Sequence, residues 1–143
     1  VQGFRYNARL TVDEIAARHF GIERPRPQVD PESVVERLLT SVSTTPELWH
    51  QKSYLAHAIS RDPDGTIRDE GVVSLAGYVD ESGPDGVAIT VETDDRGSIH
   101  PAVYVRRRGR VDADAALDEG PLTEYRTAEH RKALRALLGD VLG

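Results

Sequence analysis

The chain reads as an α+β protein: N-terminal helices, then a small antiparallel sheet, then one C-terminal helix. Three observations predict this. Apolar residues recur at helical spacing up to about residue 60, Val87–Thr93 alternates apolar with polar, and helical spacing returns after Thr127. The expected helices lie at about 11–21, 31–43 and 46–60, the strands at about 71–79, 87–93 and 99–108, and the last helix at about 127–142. All 143 residues are expected to form one domain, on its own or as a fragment of a longer chain, since the sequence opens with Val rather than Met. A chain of this size buries roughly 68–70% of its unfolded surface, enough for a core without staples.

Composition narrows the chemistry. The absence of Cys removes disulfides, thiolate metal sites and a Cys nucleophile. No apolar run approaches the roughly 18 residues of a membrane span. The net charge of −6 opposes broad non-specific binding to nucleic acid, while leaving room for a local basic patch. Sixteen Arg stand against two Lys, a usage that suggests GC-rich coding and a bacterial protein, and without an apolar span or an opening signal segment a cytoplasmic location is expected.

Val1–Arg9 is expected as a short strand or lead-in. Thr11 and Glu14 then form a capping box, Leu10 can staple onto Ile15, and Gly21 with Ile22 stops the helix. Asp30 caps the next helix, with Pro31 at its first position and Val34, Val35, Leu38, Leu39 and Val42 on one side. Thr45, Pro46 and Glu47 give a third helix start. Continued to residue 60, that helix would gather Leu48, Leu55 and Ile59 on one face and His50, Tyr54, His57 and Arg61 on the other. Asp62-Pro63-Asp64-Gly65 is a turn. Gly71–Val79 is apolar enough for a strand or a buried helix and is taken as a strand. In Val87–Thr93, Val87, Ile89 and Val91 are expected inward and Ala88, Thr90 and Glu92 outward, with Ile99–Arg107 as partner. Val111–Pro121 is acidic and reads as a loose connector.

TVDEIAARHFGI, residues 11–22, resembles the first helix of a helix-turn-helix DNA-binding motif. The resemblance implies a tight turn and a recognition helix directly after it. Here Glu23–Asp30 intervenes with two prolines, and the following helix exposes Glu32, Glu36 and Arg37 rather than base-reading side chains.

Two features could carry chemistry. On a continuous helix, His50, Tyr54 and His57 would touch at i, i+4 and i, i+3 spacing, a row able to move protons or hold an anion, or simply to solvate the helix. Arg106, Arg107, Arg108 and Arg110 place four guanidiniums in five residues, suited to carboxylate or phosphate, or to guarding a strand edge. Nucleophile-elbow, phosphate-loop and dinucleotide motifs are absent, so no cofactor or metal is implied. The expected function is a non-catalytic binding or regulatory domain that recognises a protein or anionic partner through the Arg-rich strand end, nucleic acid included and a membrane disfavoured. The alternative is a small enzyme with a His/Tyr/Arg site for an anionic substrate.

Overall fold

The computed structural model describes residues 2–139 together with Val141 and Leu142, with side chains from Arg5 onward. The mixed α+β class is as expected, with helices toward both termini of the chain and an antiparallel sheet. In order, the elements are α1 (Gln2–Phe20), α2 (Val34–Thr44), α3 (Pro46–His50), β1 (Leu55–Arg61), β2 (Ile67–Ser74), α4 (Leu75–Asp80), β3 (Gly86–Thr93), β4 (Ile99–Arg107), β5 (Arg110–Ala116) and α5 (Ala128–Leu138). The strands lie in the order β2-β1-β3-β4-β5. Among the described residues no helix is long and apolar enough to cross a membrane.

Several expected boundaries move. The first helix begins at Gln2, so the strand or lead-in over residues 1–9 is replaced by helix from that point; Val1 is outside the described residues. Thr11 does not cap. Its hydroxyl donates to the Asn7 carbonyl at 3.0 Å, inside a continuous helical ladder. Tyr6, stacked 6.1 Å from His50, and Leu10, against the core, hold the added turns. Gly21 ends the helix at φ +65°, and the Ile22 amide closes onto the Ala16 carbonyl.

Residues 24–29 then run as a strap along β2, with Val29 N–H donating to Ile67 O and Asp69 N–H to Pro27 O, both at 2.9 Å. This covers one sheet edge that would otherwise invite pairing. Asp30 accepts from the Glu32 amide, as a cap should, and α2 buries Val34, Val35, Leu38, Leu39 and Val42. These pack with α5 on the sheet face that carries Leu55, Ile59, Val87, Ile89, Val91, Val103 and Val105.

The helix expected over 46–60 is the main correction. It ends at His50, Ser53 takes φ +65°, and Leu55–Arg61 is a central strand paired with both β2 and β3. Leu55 and Ile59 are four apart, a spacing that suits one helix face and equally one strand face. Backbone pairing on both sides decided it.

The expected strand over 71–79 is split. Gly71–Ser74 finishes β2 beyond a bulge, where Gly71 has φ +70°, and Ser74 then caps α4 by accepting from the Gly77 amide at 3.2 Å. The helix α4 lies on the second sheet face over Ala56, Ala58 and Ala88. For that reason Ala88 and Thr90, expected outward, are fully buried, Thr90 donating to the Leu55 carbonyl at 2.7 Å. Residues 110–116 are not a connector but edge strand β5, with Val111, Ala113 and Ala115 half-buried between exposed neighbours. Thr127 caps α5, which ends at Leu138; the expected helix reached 142, and Asp140 is outside the described residues.

Candidate binding site

Strand β4 delivers the Arg-rich segment, and pleating separates its members. Arg106 points to the face carrying α4 and is only 6% exposed. Its guanidinium lies 3.9 Å above the Tyr78 ring and donates to the carbonyls of Tyr78 at 2.5 Å, Glu81 at 3.4 Å and Pro84 at 3.5 Å. The C-terminal end of α4 thus supplies partial negative charge to a buried cation. A Cβ at Gly83 would meet this guanidinium and make it shift.

The other three arginines stand at the hairpin tip. Arg107 pairs across the strands with Arg110, leaving the two-residue turn Arg108-Gly109, with φ +54° and +84°. This is the primed turn geometry that matches strand twist. Arg107 donates to Asp112 at 3.0 Å, whereas Arg108 and Arg110 are exposed and have no ion pair among the described residues. Gly109 receives the Gly83 amide at 3.2 Å, which seats the tip on the loop after α4.

Beneath α4 and this loop runs a groove of about 910 Å³, lined by Ala58, Ser60, Glu70, Val73, Tyr78 and Arg106 among others. At one end Arg26 donates to Glu70 at 2.7 Å and to Asp62 at 2.8 Å, Arg68 donates to Asp62, and Ser60 to Glu70. The bonds to Glu70 and then Asp62 hold the Arg26 pKa well above its ordinary value despite burial. Among the described residues, the Tyr78 hydroxyl and Arg106 Nε are sealed from solvent and have no hydrogen-bond partner. Burial pushes the Tyr78 phenol up, partly offset by Arg106. An orphan buried donor costs about 1–3 kcal/mol, and native proteins keep few of them.

The expected His/Tyr row is dispersed, because its helix stops at His50. His50 is exposed and stacked on Tyr6, and Tyr54 is 71% exposed ahead of β1. His57 alone enters a cleft, of about 300 Å³, between α2 and the β1–β2 pair. Its Nε2 bonds Asp69 at 2.7 Å, and Asp69 also accepts from Arg37 at 3.2 Å and from the Gly71 amide at 2.8 Å. Burial raises the Asp69 carboxyl, but the His57 bond and charge, the Gly71 amide and Arg37 outweigh it, so its pKa lies below the ordinary range.

Sequence reading missed Tyr78, Glu70, Arg26 and Asp69. The signal for Asp69 was present: Asp62-Pro63-Asp64-Gly65, expected only as the turn that ends a helix, joins two strands and folds residue 69 back beside residue 57. Tyr78 carried none, sitting in an apolar run. No protein-family model, curated protein or solved structure matches the chain.

Proposed function

We propose that the chain is a non-catalytic binding or regulatory domain that recognises an acidic protein segment through the tip of the β4–β5 hairpin. The observation carrying this is the two-residue turn that gathers Arg107, Arg108 and Arg110, of which only Arg107 has an ion pair among the described residues, on a chain of net charge −6. Exposed guanidiniums are suited to bidentate pairing with carboxylates. Arg106 belongs to the interior beneath the tip and is withdrawn from the contact set. The acidic balance favours a protein partner over nucleic acid, and the Arg-for-Lys usage supports a bacterial source.

The test is a titration of polyglutamate and of a short DNA duplex against the intact chain at rising salt. Polyglutamate is expected to bind with salt-sensitive affinity, and Arg108→Ala/Arg110→Ala to weaken it roughly 10-fold, about 1.4 kcal/mol. Affinity indifferent to both arginines, or a preference for DNA, overturns the reading.

The enzyme alternative retains one supporting observation, the His57–Asp69 pair in its cleft, an arrangement that orients an imidazole. Neither His50 nor Tyr54 lines that cleft.

A further inference from the structure

We propose that the groove beneath α4 is a binding site for a small monocarboxylate with an apolar body, anchored by Arg106 and Tyr78. Arg106 has no carboxylate within ion-pairing distance among the described residues, and the groove's other cation, Arg26, is taken by Glu70 and Asp62. Glu14 is likewise taken by Arg18. Among the described residues lining the groove, the charges left without an ion-pair partner are therefore buried Arg106 and exposed Glu81.

The two orphan groups, Arg106 Nε–H and Tyr78 O–H, are both donors and belong to side chains 6% and 8% exposed. Two donors beside an uncompensated guanidinium call for an acceptor that is itself negative, and a carboxylate meets both requirements. Both atoms are closed to solvent in the free chain, so a carboxylate reaches them only by displacing some of the guanidinium's present acceptors, and entry exchanges weak bonds for strong ones. The guanidinium's contacts to Glu81 O and Pro84 O are long, at 3.4 and 3.5 Å, and are the ones a carboxylate would replace. The 2.5 Å bond to Tyr78 O keeps the guanidinium in place meanwhile.

Beyond the anchor, Ala58, Val73, Gly77 and Pro84 give an apolar wall, with Ser60 and Ser74 hydroxyls along it. About 910 Å³ falls within the roughly 300–1,000 Å³ of clefts that hold small molecules. Exposed Glu81 disfavours a second anionic group along the groove and so a dicarboxylate, while the apolar wall offers inorganic phosphate no contact.

The probe is phenylacetate, compared with 2-phenylethanol and inorganic phosphate by amide chemical shifts of the intact chain. Saturable shifts at Ser74, Gly77 and Gly83 are expected with phenylacetate in the millimolar range, with the alcohol at least 10-fold weaker. Tyr78→Phe is expected to weaken phenylacetate about 5-fold while the melting temperature holds or rises, since an orphan hydroxyl has been removed. Equal binding of acid and alcohol, tighter binding of phosphate, no saturable shift, or unchanged affinity in Tyr78→Phe would each overturn the proposal. Polyglutamate reads the hairpin tip and phenylacetate the groove, so the two readings fail separately.

Discussion

Arg106 and Arg108 are two residues apart, yet one is sealed over a phenol ring and the other stands in water at a turn. Residues at i and i+2 share a face only while the strand continues; here it ends at Arg107 and Arg108 enters the turn at positive φ. A run of like side chains therefore divides into an interior plug and an exposed cluster. The same contrast holds for His57, whose ring is tied to Asp69, against His50 on the surface. Because the folded Asp69 pKa lies below its unfolded value, the carboxylate's stabilisation is complete above the ordinary carboxyl range. It is lost as pH falls through the lower folded value. Asp69→Asn is expected to cost about 1–3 kcal/mol near neutral pH. In urea unfolding the gap to the parent should close on acidification through that window. A gap independent of pH would mean that charge at residue 69 does not contribute.

At the scale of elements, the chain's middle is where spacing misleads. Leu48, Leu55 and Ile59 fit a helix, but Ser53 breaks it and His57 pairs with Val72 on one side and Ile89 on the other. As the middle of three strands, β1 needs close neighbours, and small residues provide them. A methyl group at Gly86 would overlap the Ile59 carbonyl and fall 2.9 Å from Ser60 Cα. Gly86→Ala should therefore destabilise by about 1–3 kcal/mol through overpacking, measured by urea unfolding. A neutral result would show that β1 and β3 can part without loss. In contrast, α2 and α5 were legible directly, since Asp30 caps as read, on the 3-10 turn that leads into α2, α5 begins where expected, and their apolar faces admit only the helical period.

Across the whole molecule, stability is unevenly distributed. The sheet and α2 share one core, whereas α1 leaves Val12 62% and Phe20 73% exposed and engages the core through Tyr6 and Leu10. A helix with little buried area opens locally at low cost. Hydrogen exchange should be at least about 10-fold faster through α1 than through α2 or β3. Equal protection would show that α1 unfolds only with the rest.

The α+β class, the Val87–Arg107 hairpin, α2, α5 and the turns were settled by the sequence alone. Each rests on interactions within a few residues: a capping side chain, a turn glycine, or an apolar period that suits a single element. Tertiary structure decided that residues 55–61 are a strand, that 110–116 form an edge, and which arginine is buried. Those outcomes depend on backbone partners and covering helices remote in the chain, and an apolar spacing of four, or an alternation of Asp with Ala, is compatible with more than one of them.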